Sequence, residues 1–183
     1  DTAKERCAIA FEEDSALWRM LAENPDCYIF PAVRKGAELP LPANIEAGAQ
    51  EVSRRTDWNK TAPEEYALPT EIWREVVARR QRCSETRTKL ANGEIHAIND
   101  FITYNLDIRQ FAQDAIENCE GSDLLRAFWR AIERVRVLDP TVGSGAFLFA
   151  ALNVLEPLYE ACLDRMEAFI GDAERADSAN ASR

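Results

Sequence analysis

The chain is poor in the residues that build metal centres and disulfide frameworks. It has one histidine, His96, and five scattered cysteines, Cys7, Cys27, Cys83, Cys119 and Cys162, with no C-x-x-C pair. That spacing suggests neither a zinc site nor a disulfide scaffold, so ordinary reduced thiols are expected. No apolar run approaches the ~20 residues that span a bilayer, and the first stretch, Ala3 to Asn24, is expected to be helical, with no signal-like apolar run. Neither a metal nor a membrane is therefore an expected partner, and the expected compartment is the cytoplasm. Basic residues are also short, 22 Lys and Arg against 32 Asp and Glu, for a net charge of −10. A surface of that sign repels phosphate, which excludes an extended basic track as the dominant feature.

What is present reads mostly as helix. Ala3 to Glu23 places Ile9, Phe11, Leu17, Trp18 and Leu21 at helical spacings. Cys27 to Val33 suggests a short edge strand limited by Pro31, and Gly36 to Gly48 reads as loop. Thr70 is positioned to cap a helix running to about Ala91, where Asn92-Gly93 stops it. Its second half carries Arg79, Arg80, Arg82, Arg87 and Lys89, a solvated face that could also touch phosphate. Asp107 with Gln110 has capping-box spacing ahead of Phe111, Ala115 and Ile116. Leu125, Phe128, Trp129 and Ile132 then form one apolar stripe, with Trp129 expected to pack on a following sheet. His96 has no partner set in sequence and is expected to be structural.

The segment from Val135 to Leu148 has a different grammar. Val135, Val137 and Leu138 favour a strand, which Pro140 ends after Asp139. Gly143 and Gly145 permit positive φ and let a ligand reach the backbone without meeting a Cβ. Ser144 is a competent N-cap, and Phe147, Leu148, Ala151, Leu152 and Leu155 follow at helical spacing. A strand, a glycine turn and a helix N-terminus together make a ligand-facing loop in open α/β sheets. A triphosphate loop fails, because Gly145 is followed by Ala146-Phe147 and not by Lys-Ser/Thr. A dinucleotide loop fails too, because Leu148 stands where the third glycine belongs.

The string Asp139-Pro140-Thr141-Val142-Gly143-Ser144-Gly145-Ala146-Phe147-Leu148 resembles the first cofactor motif, D-P-x-x-G-S-G-x-F-L, of S-adenosylmethionine-dependent DNA adenine-N6 methyltransferases. Asn99-Asp100-Phe101 through Ile116-Glu117-Asn118-Cys119, with Asn153 to Glu160, look like the large methyltransferases of phage-defence (BREX/Pgl-type) systems. These are relatives of restriction–modification enzymes. The resemblance implies S-adenosylmethionine as cofactor, with Asp139 near its methionine end. It further implies that Pro140, Thr141 and the amides around Gly143, Ser144 and Gly145 face the cofactor, and that Phe147 shapes the pocket floor. In the intact protein the implied partners are double-stranded DNA and defence-system subunits.

The chain departs from that family in ways that bear on activity. It has no Pro-Pro pair, so the target-base motif Asn/Asp-Pro-Pro-Tyr/Phe is missing, and no catalytic residue is assigned. No second strand follows Met166, so the acidic ribose-binding residue has no place. The tyrosine-threonine-proline segment that usually precedes the first motif is absent as well. Together with Asp1 in place of Met, this reads as a piece of a larger enzyme, inactive alone. The expected fold is mostly α: a helical segment over 1–134 leads into the first βα unit of a Rossmann-like α/β methyltransferase domain over 135–170. A polar, disordered tail is expected over 171–183. The alternative reading is a non-catalytic helical interaction module of a phage-defence complex, with a vestigial cofactor loop.

Pro157 interrupts an apolar spacing that Leu155, Leu158, Cys162 and Met166 continue on both sides. A kinked helix accounts for this better than two helices, because a Pro inside a helix costs about 3 kcal/mol and need not end it. Pro157→Ala is expected to keep the fold and raise stability in chemical denaturation. A clear loss of stability would mean that a second helix starts at Pro157.

Overall fold

The computed structural model describes residues 15–181. These fall into two compact units, one running Trp18–Asp107 and the other holding the helices from Ile108 onward.

The Trp18–Asp107 unit is built of short helices around one long one. In order they are α1 (Ala16–Glu23), which leads in, α2 (Pro31–Arg34), α3 (Ala43–Gln50), α4 (Trp73–Ala91) and α5 (Ile98–Thr103), with 3₁₀ turns at Pro25–Tyr28 and Val52–Arg54. The edge strand expected over Cys27–Val33 is not formed. Prolines at the starts of the Pro25 turn and of α2 pre-set helical φ, and only Ile29 makes an antiparallel bridge, to Leu106. The expected loop over Gly36–Gly48 holds α3, whose Ile45 is buried against Trp58, Ala62, Ala67, Trp73 and Val76. Trp58 lies so close to Gly48 that any Cβ there would collide with its indole.

Thr70 does not cap α4. It sits in the turn before the helix with φ +69°, and the Glu75 carboxylate instead accepts the Ile72 N–H at 3.0 Å. The start of α4 is pinned further by Trp73 N–H to Lys60 O (3.1 Å) and Arg74 N–H to Trp58 O (2.9 Å).

The other unit packs α6 (Ile108–Glu117), α7 (Ser122–Glu133) and α8 (Ala146–Ala181). Ile116, Cys119, Leu125, Ile132, Ala161 and Cys162 form its core, joined by Leu155, Leu158, Met166 and Phe169 at three- and four-residue spacings along α8. Trp129 packs edge-to-face on Tyr159, ring centroids 5.2 Å apart. It therefore meets a helix and not the expected sheet. Arg165 closes the corner after α6, donating from Nε (3.0 Å) and Nη2 (2.6 Å) to the Cys119 carbonyl while its guanidinium lies 4.4 Å over Phe169.

α8 is continuous through Pro157 and on past Gly171 into the polar residues up to Ala181. By length and composition Ala146–Ala179 could cross a membrane, although the part from Leu155 onward supplies the core of its unit.

The expected strand is absent, and with it the Rossmann-like βα unit. There is no β-strand among the described residues. Val135 to Asp139 run without regular structure, and Val137 and Leu138 are exposed, Leu138 by 87%. The physical reason is that strand propensity cannot act alone, because a strand's N–H and C=O groups need a neighbouring strand. None is formed among the described residues.

Arg79 on α4 is the buried charge of the Trp18–Asp107 unit. Its Nε and Nη2 bind both carboxylate oxygens of Glu71 (2.8 and 2.9 Å), and its remaining donors reach Val33 O (3.1 Å), Lys35 O (2.6 Å) and Tyr66 O (2.8 Å). Burial works against ionisation of Glu71, yet the Arg79 hydrogen bonds and the Leu68 N–H hold its carboxyl below the usual glutamate range. A lowered acid stabilises the fold above its unfolded pKa, and that contribution is lost as pH falls through the folded value. Arg79→Met, which strands the Glu71 carboxylate, is expected to destabilise the unit by about 3–5 kcal/mol in urea titrations at neutral pH. The deficit should shrink on acidification below the glutamate range. A loss under about 1 kcal/mol would show that the network is not structural.

Candidate functional site

The loop from Asp139 to Phe147 is built locally. The Asp139 carboxylate folds back on its own turn, its Oδ1 accepting from the Thr141 N–H (3.0 Å) and the Thr141 hydroxyl (3.3 Å). This is an Asx-type turn, which short acidic side chains favour. Pro140 stands between the two partners and is exposed. The helix that follows opens at Ala146, and its first hydrogen bond runs from Phe149 N–H to Gly145 O at 2.9 Å. Gly145 therefore occupies the N-cap position expected of Ser144. It does so with φ +76°, a conformation that a Cβ disfavours.

Gly143 plays a different part. Its φ is not positive, and a Cβ built on it would meet nothing within 4 Å. The backbone N–H groups of Gly143, Ser144 and Gly145 donate to no acceptor among the described residues. They precede the N-terminus of a long helix, whose aligned peptide dipoles favour negative charge. Phe147 is 79% exposed, so its ring does not form the expected pocket floor within this chain. Phe149 and Leu152 are exposed beside it, leaving an apolar surface from Val137 to Leu152.

Elsewhere the structure redistributes the sequence candidates. The basic residues of α4 are mostly spent on the fold. Arg79 is buried, Arg80 donates to Gly36 O, Arg87 binds Asp26 (2.8 Å) and Glu38 (2.7 Å), and Lys89 binds Glu94 (3.2 Å). Arg82 alone of the five makes no hydrogen bond or salt bridge among the described residues. Sequence reading missed this, although acidic residues spread through Asp26, Glu38, Glu71 and Glu94 were a signal that the arginines had partners.

The cysteines Cys83, Cys119 and Cys162 are buried, and burial pushes each thiol up, Cys162 to about 11. They stay protonated and unreactive at neutral pH. Among the described residues no three His, Cys, Asp or Glu side chains come together to hold a metal ion.

Comparison with known proteins gives one partial relative. Over 58 residues the chain is 40% identical to a protein of Methanocaldococcus jannaschii that carries the provisional name type II restriction enzyme and methyltransferase. The match covers 32% of this chain and 5% of that protein, so the chain spans a small fraction of its relative. No family model matches, and no solved structure matches.

The two glycines make a paired prediction. Gly145→Ala forces a Cβ into left-handed backbone at the cap of α8 and is expected to cost about 1–2 kcal/mol. Gly143→Ala should stay within about 0.5 kcal/mol of the parent. Equal losses for the two in urea denaturation would contradict these backbone assignments.

Proposed function

We propose that this chain carries the cofactor loop of a restriction–modification methyltransferase, and that the enzyme transfers the methyl of S-adenosylmethionine to adenine N6 in double-stranded DNA. The observation that supports the reading is the Asp139 to Leu148 string, in which the amides of Gly143, Ser144 and Gly145 make no hydrogen bond among the described residues and a Cβ at Gly143 would meet nothing within 4 Å. The Methanocaldococcus jannaschii relative supports the coarser part, a methyltransferase of the restriction–modification kind. Adenine as target and the link to phage-defence systems rest on the sequence resemblance.

The residues suit such a cofactor. Unpaired amides at Gly143, Ser144 and Gly145 would hold its carboxylate and ribose oxygens, as amides at a helix N-terminus hold anions. Asp139 Oδ1 is occupied by Thr141, which orients the carboxylate and leaves Oδ2 as acceptor for the cofactor's amino group. The turn through Pro140 and Thr141 fixes that carboxylate against its own backbone at the start of the loop. When bound, S-adenosylmethionine supplies a methyl group on a sulfonium, and transfer depends mainly on alignment with the nucleophile. No residue of this chain is assigned to the target base, since the chain has no Pro-Pro motif.

Gly143→Arg tests the loop without disturbing the fold, because the position is open and its φ is ordinary. In the enzyme that contains this chain, the variant is expected to keep its helical circular dichroism and to lose photochemical cross-linking to radiolabelled S-adenosylmethionine, together with DNA methylation. Cross-linking and methylation at parental levels would make the loop vestigial, and the interaction-module reading would replace this one.

A further inference from the structure

The Trp18–Asp107 unit contains a half-open groove of about 350 Å³, lined by Ile29, Val33, Arg82, Glu85, Thr86, Lys89, Thr103, Tyr104 and Asn105. One wall is a single stripe of α4, since Arg82, Glu85, Thr86 and Lys89 recur at helical spacing. The floor is apolar, with Ile29 buried and Val33 half-buried. The opposite wall is the end of α5 and the turn after it, where Asn105 takes φ +52°. That turn is tied to the floor by the Ile29–Leu106 bridge and by Asp107 N–H to Tyr28 O (2.8 Å). The groove is thus preformed from three pieces of one compact unit.

Its chemistry is amphipathic. The Tyr104 ring lies half-buried with the Lys89 ammonium 5.6 Å from its centroid. Arg82, Lys89 and Thr86 line the groove from α4, and Thr103 from the end of α5. Arg82 matters most, because every other arginine at the far end of α4 is already paired with an acid or a carbonyl. Its charge is felt by Glu71, but it makes no hydrogen bond or salt bridge among the described residues. An exposed guanidinium with its donors uncommitted, beside the apolar Ile29 and Val33, is a recognition feature for an anion.

The size and the neighbours narrow the ligand. A volume of about 350 Å³ lies at the small end of ligand pockets and suits one nucleotide-sized molecule. A polynucleotide backbone would need a track of several cations. Here Arg87 is committed to Asp26 and Glu38, Glu85 lines the groove, and Glu94 pairs with Lys89.

We propose that this groove binds a nucleoside monophosphate, with Arg82 and Lys89 on the phosphate and Tyr104, Ile29 and Val33 against the base. The site uses only residues 29–105 and stands independently of the cofactor-loop reading. Lys89 is shared with Glu94, whose hydrogen bond to the ammonium keeps it charged and also competes with the ligand.

The test is calorimetric titration of the full chain with adenosine 5′-monophosphate, with inorganic phosphate and with a 5′-phosphorylated DNA oligonucleotide. The mononucleotide is expected to bind in the micromolar to low millimolar range and more tightly than phosphate, because the base contacts add to the charge contacts. Arg82→Gln should weaken it about tenfold, as loss of a charge-assisted contact does, with thermal unfolding unchanged. Glu94→Gln should tighten it severalfold by releasing Lys89, a gain that damage to the fold would not produce. The proposal is overturned if the mononucleotide does not bind, if phosphate alone binds as well, or if only the oligonucleotide binds. It is also overturned if neither variant moves the affinity.

Discussion

The Trp18–Asp107 unit depends on the guanidinium of Arg79. A cation taken out of water costs several kcal/mol unless its donors are matched, and Arg79 matches them with both Glu71 oxygens and three backbone carbonyls. Those partners belong to separate stretches: the end of α2, the loop at Tyr66 and the turn before α4. One side chain therefore joins segments that have little regular structure of their own. Lysine could not replace it, because a point charge lacks the fork that reaches the carboxylate and carbonyls together. The same bonds withdraw Arg79 from any contact with phosphate. With the Arg87 and Lys89 ion pairs they neutralise three of the six basic residues of α4 within the fold.

The unit beyond Asp107 has the opposite problem, an element with too few partners. From Leu155 onward α8 buries one face on α6 and α7 and is anchored where Arg165 grips the Cys119 carbonyl. Before Leu155 no core residue among the described residues packs on the helix, and Phe147, Phe149 and Leu152 are exposed. Val135, Val137 and Leu138 are exposed as well. The glycine loop sits between these two unburied pieces. Its local geometry is nevertheless well defined, because the Asp139–Thr141 turn and the Gly145 cap need only their neighbours in sequence.

Helices α4, α6 and α7 were legible from periodicity and stop signals, because an apolar stripe at helical spacing finds a face to bury almost anywhere. The boundaries set by capping were less legible. Thr70 and Ser144 are good caps in isolation, but Glu75 and the positive φ of Gly145 took those roles. The strand at Val135 failed for a deeper reason, since its propensity is expressed only through hydrogen bonds to another strand. The groove beside Arg82 was not legible at all, because Ile29 and Asn105 lie far from α4 in sequence and meet it only through backbone pairing.

What the sequence determined by itself is local: the glycine turn between Asp139 and Ala146 and the helical stripes. Each depends on residues within one or two turns of one another. Which charges are free and which are buried was decided by tertiary structure alone. An ion pair or a carbonyl contact between residues such as Arg79 and Val33, or Arg87 and Asp26, exists only once the chain has brought them within hydrogen-bonding distance. The same holds for the absent strand, whose fate depends on a neighbour that no property of its own residues can supply.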